Sequence, residues 1–245
     1  MRPASRPGVS KVVAVVALVA VVSVAGAALY LTSSYSCCQS TTSTTTKSSP
    51  LYTLTVSPTV PLISPGQTQN YTTMEVNNAF GFSPTQNMTM KVFSPAGLTV
   101  TLENATISLA NDPQSMSITM KAASSLAPGN YTVTIEGTPV GVKGNNQTLD
   151  VEVVPMLVTI QDLAFHPQNL TVAAGTRVYW INLDYQIGCC DPGNHNVVFL
   201  SGATGNSPTL KRLDSWSYLF SSPGVVEYYC SIHPLIMKGQ VTVTG

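Results

Sequence analysis

Apolar and polar residues alternate at period two from residue 51 to residue 155. Tyr52, Leu54 and Val56 fall on one face, as do Met74 and Val76, then Met88, Met90 and Val92, then Leu98, Val100 and Leu102. Ile118 and Met120 follow, then Tyr131, Val133 and Ile135, then Leu149, Val151 and Val153. Successive side chains of a strand point to opposite faces, so this alternation predicts about seven short, half-buried strands. Ser64-Pro65-Gly66 and Ala127-Pro128-Gly129-Asn130 supply turns between them. A second run of strands is predicted over Met156–Gln161, Leu170–Ala173, Arg177–Asn182, His195–Leu200, Trp216–Phe220, Val225–Cys230 and Gly239–Thr244. The expected fold class is all-β in two units, 51–155 and 156–245.

The alternation is absent from the first fifty residues. Residues 12–31 carry no charge, and twenty residues at helical rise cross a bilayer core of ~30 Å. Arg2, Arg6 and Lys11 precede this run, which places residues 1–11 in the cytoplasm and everything after Leu31 outside. The expectation is a single-pass signal anchor. The alternative is a cleaved signal peptide, for which Ala25-Gly26-Ala27 is a suitable small-residue site, and which would make the protein secreted. Residues 32–50 hold thirteen Ser or Thr among nineteen, a solvated stalk.

Charge changes the picture little. Only 9% of the 245 residues are charged and the net charge is zero, which argues against a nucleic-acid partner. The part beyond the apolar run carries eight basic and eleven acidic residues, a mild −3. Six N-x-S/T sequons, at Asn70, Asn87, Asn104, Asn130, Asn146 and Asn169, suit a glycosylated surface protein. Together with the low charge content they point to an archaeal cell surface.

Seven short strands in about one hundred residues predict an immunoglobulin-like sandwich for 51–155. Within it, L-A-P-G-N-Y-T-V-T-I-E-G resembles the tail of bacterial and archaeal Ig-like repeats. This half contains no His and no Cys, and reads as a spacer or docking module.

The chemistry is concentrated in 156–245. C-S-I-H-P-L-I-M brings Cys230, His233 and Met237 within eight residues, and His195 stands upstream in H-N-V-V-F. A thiolate, two imidazoles and a weak axial thioether form the ligand set of a mononuclear blue-copper electron-transfer site. The five cysteines make an odd count, and a metal thiolate is the reading that leaves Cys230 unpaired.

F-H-P-Q-N-L-T-V-A-A-G-T-R-V-Y-W-I-N, then H-N-V-V-F, then F-S-S-P-G-V-V-E-Y-Y-C-S-I-H-P-L-I-M-K-G-Q-V-T-V resemble a cupredoxin of the plastocyanin and amicyanin group. The resemblance implies a Greek-key β-barrel or sandwich holding one type 1 copper. It implies His195, Cys230 and His233 as equatorial ligands and Met237 as the long axial one. Asn196 would brace the cysteine loop from behind the ligands. Pro234, Leu235 and Ile236 would form the apolar patch where a redox partner docks.

Two features depart from that group. The spacing C-x2-H-x3-M is one residue longer between His and Met than in amicyanin and one shorter than in plastocyanin. Residues 183–194 form a longer loop than cupredoxins usually have, and it contains Cys189-Cys190. That pair is open to three readings: a structural disulfide (vicinal, or with Cys37 and Cys38), a redox-active pair beside the copper, or a second metal site. A binuclear copper centre needs C-x3-C, whereas positions 226 and 234 are Val and Pro. His166 in F-H-P reads as an ordinary exposed histidine.

The function expected is a membrane-tethered, extracytoplasmic electron carrier that cycles Cu(I)/Cu(II) with a redox protein such as a cytochrome or terminal oxidase. No small-molecule substrate is expected. Copper binding without electron transfer, as sensor, store or carrier, is the alternative. A copper oxidase or nitrite reductase needs further copper bound by additional histidines, and this chain has three His in all.

Overall fold

The computed structural model describes residues 51–80, 82, 85–109, 113–186 and 193–245. The apolar run, the stalk, Cys37, Cys38 and the Cys189-Cys190 pair lie outside the described residues. Among the described residues every regular element is a strand, and no helix is long and apolar enough to cross a membrane.

The first nine strands are β1 (Leu51–Ser57), β2 (Leu62–Ile63), β3 (Thr68–Phe80), β4 (Asn87–Phe93), β5 (Leu98–Leu102), β6 (Thr106–Ser108), β7 (Gln114–Ala122), β8 (Gly129–Pro139) and β9 (Asn145–Val153). They form two sheets, ordered β1-β3-β7-β5 and β2-β9-β8-β4-β6. The alternation determines which faces meet: β4 reads exposed-buried over Asn87–Met90, and β7 buries Met116, Ile118, Met120 and Ala122. The inward residues of both sheets make one core, including Met74, Met88, Ile118, Met120, Ile135 and Leu149, all at most 1% exposed. Fully burying a side chain of this kind contributes about 1.5–3 kcal/mol. Five of the core residues are methionine, whose flexible thioether fills irregular gaps between sheets.

Only Val154-Pro155 separates β9 from the next strand. The remaining elements are β10 (Met156–Gln161), β11 (Ala164–His166), β12 (Asn169–Ala173), β13 (Thr176–Asn182), β14 (Val198–Phe199), β15 (Ser215–Phe220), β16 (Gly224–Tyr229) and β17 (Lys238–Thr244). Again there are two sheets, here both four-stranded, β11-β10-β13-β15 and β12-β17-β16-β14. Each mixes directions: β10 runs parallel to β13 and β12 parallel to β17, while the other pairs are antiparallel.

Strands β2, β6 and β11 were not predicted, and the predicted strand His195–Leu200 shrinks to Val198–Phe199. The three extra strands are two or three residues long, too short for a period to register. His195 lies instead in a lone bridge with Leu210, their N–H and C=O groups exchanging bonds of 3.0 and 2.7 Å.

Behind the expected metal-binding end, the second core is aromatic. Trp180 and Tyr228 are fully buried with ring centroids 5.6 Å apart and nearly perpendicular, and Phe165 lies 4.9 Å from Tyr228. Such edge-to-face pairs are favoured by the ring quadrupoles. Tyr228 sits directly across from Gly239 of β17. A Cβ at Gly239 would stand 2.4 Å from the Tyr228 ring, so only glycine admits the ring there.

Candidate metal centre

Cys230 follows β16, whose alternation turns Val226, Tyr228 and then Cys230 inward; all three are buried. The chain then makes a tight loop back into β17. The Cys230 N–H donates to the Met237 carbonyl (3.1 Å), His233 N–H to the Cys230 carbonyl (3.2 Å), and Met237 N–H to the His233 carbonyl (3.1 Å). These bonds close the x2 and x3 spacings into a loop and bring Met237, itself fully buried, into the same core cluster as Cys230.

His195 reaches this loop from 35 residues upstream. Its Nδ1 lies 3.8 Å from Cys230 Sγ, and His233 Nδ1 lies 3.8 Å from the same sulfur. The two imidazole rings are 5.0 Å apart. One donor atom from each of His195, Cys230 and His233 falls within 4.8 Å of the other two. That is the spread expected of nitrogens and a sulfur that share one ion at metal–ligand distances near 2.0–2.3 Å. Cys230 is a free thiol and is fully buried, as is His195, while His233 is partly exposed. One imidazole therefore faces the interior and the other faces solvent.

Asn196 ties the two parts of the site together. Its side-chain amide donates to Ser231 Oγ, and its carbonyl accepts from the Ser231 N–H, both at 2.8 Å. Pro234, Leu235 and Ile236 stand outside the loop; Leu235 is 89% exposed and Ile236 61%. Nearby in sequence, Ile232 is also exposed, which extends the apolar surface around His233.

Sequence reading missed the residue that holds His195. Asp184, 5% exposed, places its Oδ2 2.8 Å from His195 Nε2. A carboxylate only accepts, so Nε2 carries the proton and Nδ1 keeps its lone pair toward Cys230. Asp184 is itself fixed: its Oδ1 accepts from Asp162 N–H (2.6 Å) and its Oδ2 from Leu163 N–H (3.1 Å). Those two N–H groups converge because Asp162 and Leu163 both adopt left-handed backbone conformations, with φ of 54° and 58°. A carboxylate placed this way fixes the orientation of a metal-binding imidazole and raises its basicity. In the sequence Asp184 was one acid in an unusual loop, and nothing local marked it.

Asn182 is the second missed residue, fully buried at the end of β13. Its amide donates to the carbonyls of Gly193 (2.7 Å) and Leu210 (2.9 Å), and its Oδ1 accepts from Asp184 N–H (3.0 Å). It thereby joins the Asp184 turn, the approach to His195 and the 210–214 loop. His166 is exposed, with its Nε2 3.1 Å from the Gln161 carbonyl, and is not part of the cluster.

The donor chemistry fits copper: one soft thiol and two imidazoles, closely set, with a thioether-bearing residue buried in the adjoining core. Residues 152–244 match the family model of copper-binding proteins of the plastocyanin/azurin family. Amicyanin of Paracoccus denitrificans is 30% identical over 92 residues, covering 36% of this chain and 64% of that protein. Amicyanin-alpha of Methylorubrum extorquens is 32% identical over 90 residues, covering 35% of this chain and 69% of that protein. The chain thus spans about two thirds of the length of these relatives. Among solved structures, a purple cupredoxin from Nitrosopumilus maritimus is 29% identical, with 36% of this chain and 99% of that one covered at a TM-score of 0.32. Through its C-terminal residues the chain belongs to the plastocyanin/azurin family of copper-binding proteins, the cupredoxins, and its cofactor is one type 1 copper.

Proposed function

We propose that the protein is a membrane-tethered, extracytoplasmic electron carrier. The observation that carries this reading is the pairing of a buried thiol–imidazole cluster with an exposed apolar rim around the one partly exposed imidazole, His233. In this reading His195, Cys230, His233 and Met237 would hold the copper. Copper held there supplies one-electron chemistry between Cu(I) and Cu(II).

The chain's own residues do the rest. Asp184 and Asn182 keep the His195 ring in one orientation, and Asn196 locks the Cys230 loop against it, so the ligands move little when the charge changes. Leu235 and Ile236 exclude water when a partner docks, and the edge of His233 is the short route out of the site. The partner is a redox protein such as a cytochrome or terminal oxidase, met through apolar contact more than long-range charge, because the exported part carries only −3. The uncharged run 12–31 serves as the anchor, and the Ig-like sandwich carries the copper domain clear of the membrane. All six sequon asparagines that would bear glycans are exposed.

The test is an optical and redox titration of the purified, copper-loaded protein. An intense visible charge-transfer band, reversible over one electron and lost in Cys230→Ser, is the expected outcome. A colourless protein with stoichiometric Cu(II) overturns the reading. Coloured protein that exchanges electrons slowly and releases Cu(I) readily points to copper storage or delivery.

A further inference from the structure

We propose that the N-terminal sandwich buttresses the copper site and helps set its reduction potential, acting through the strand end Ile181–Asp184. The inference rests on the blue-copper reading above.

Alternation along one short segment carries the argument. Ile181 and Leu183 point to one side, Asn182 and Asp184 to the other. Asn182 and Asp184 are the buried residues that hold His195 and its approach. Ile181 and Leu183 belong to a separate apolar cluster at the junction of the two sandwiches. There Leu62, Val154 and Ile181 are buried at 3%, 1% and 1%, and Tyr71 and Leu183 pack against them. Leu62 lies on β2 and Tyr71 on β3, both in the N-terminal sandwich. One stretch of backbone therefore forms the wall of an interdomain core on one face and the outer support of a metal ligand on the other.

Each side of the junction is fixed within its own sandwich. Leu62 is fixed by the Tyr71 hydroxyl, which donates to the Leu62 carbonyl (2.6 Å) and accepts from its N–H (2.7 Å). Leu183 N–H continues the β10–β13 ladder by donating to Ile160 (2.8 Å). Burial and the neighbouring Glu152 carboxylate of β9 push the Tyr179 phenol of β13 up, a second sign of contact across the junction. The connection is two residues long, so no flexible linker decouples the halves. Loosening this packing frees Leu183, and with it the carboxylate one residue on. A hydrated, mobile Asp184 stabilises the higher charge on copper less than a fixed one does, so the potential rises.

Asp184 acts through His195 and is a positioning residue. In the full-length, copper-loaded protein, Asp184→Asn removes the negative charge while keeping the shape. The expected result is a rise in reduction potential equivalent to about tenfold in the redox equilibrium constant, ~59 mV for one electron. Leu62→Ala, in the other sandwich, is expected to shift the potential the same way by a smaller factor, and to add nothing in the Asp184→Asn background. Tyr71→Leu serves if Leu62→Ala does not fold. A metal-free readout accompanies these: amide hydrogen exchange at Asp162 and Leu163, the donors to Asp184, is expected to quicken in the junction variants. Wild-type potential and exchange rates in a junction variant whose melting has changed would overturn the inference. Absence of the visible band in the parent protein would instead overturn the copper reading, and the exchange measurement would still test the coupling.

Discussion

Asn196 and Ser231, 35 positions apart, exchange two hydrogen bonds of 2.8 Å. They are the immediate neighbours of His195 and Cys230, so this pair fixes the separation of the two donors from outside the site. Asn196→Ala leaves the Ser231 N–H without that acceptor and unties the loop. The expected cost is about 1 kcal/mol of stability, read by denaturant unfolding of the metal-free protein. A shift of the visible band in the copper-loaded variant is expected alongside, because the sulfur is no longer held against the His195 segment.

Gly239 and Tyr228 yield a second prediction. Gly239→Ala drives a methyl group into the Tyr228 ring, at 2.4 Å before relaxation. Overpacking of this kind costs about 1–3 kcal/mol. Because Tyr228 is two residues before Cys230 on the same inward face, the variant is expected to disturb the metal spectrum as well as the melting temperature. Pairing it with Tyr228→Leu, which vacates the space, is expected to restore part of the stability.

Leu235 is almost fully exposed, so Leu235→Glu is expected to leave folding stability within about 0.5 kcal/mol of the parent. It places a charge on the apolar surface proposed above as the docking face. Electron self-exchange between oxidised and reduced protein, measured by NMR line broadening, is expected to slow about tenfold or more as the like charges are brought together. An unchanged rate would remove this face from the electron route.

Copper removal tests preorganisation. The thiol and both imidazoles already lie within 4.8 Å of one another and are held by Asp184, Asn196 and the backbone bonds of the loop. Chelation is therefore expected to leave the β-sheet circular-dichroism signature intact and to lower the melting temperature. Returning copper at one hundred times its dissociation constant contributes about 2.7 kcal/mol.

The parts of this protein legible in the sequence are those that repeat or cluster locally. Tyr131, Val133 and Ile135 announce a strand because burial alternates with backbone direction, and Cys230, His233 and Met237 announce a ligand loop because they lie within one short stretch. Asp184 and Asn182 are legible by neither route. Their partners, Asp162, Leu163, Gly193 and Leu210, come from three other segments, and the left-handed pair Asp162-Leu163 contains no glycine to signal it. His195 shows the limit from the other side: its chemistry was plain, yet it stands in a lone bridge outside the shortened strand, because the Asp184 carboxylate and the Leu210 backbone hold it in place of a ladder.

The position of β17 has a consequence for when the protein acquires its metal. In the sheet order β12-β17-β16-β14 the last strand to be made is an interior one, parallel to β12 on one side and antiparallel to β16 on the other. Until Lys238–Thr244 has been synthesised, β12 has no partner in this sheet and β16 pairs only with the two-residue β14. That sheet therefore joins β12 to β16 only once β17 is in place, through contacts distant in the chain. The assembled thiol–imidazole cluster therefore exists only where that closure takes place. If the chain is exported unfolded, the copper supply that matters is the one outside the cell.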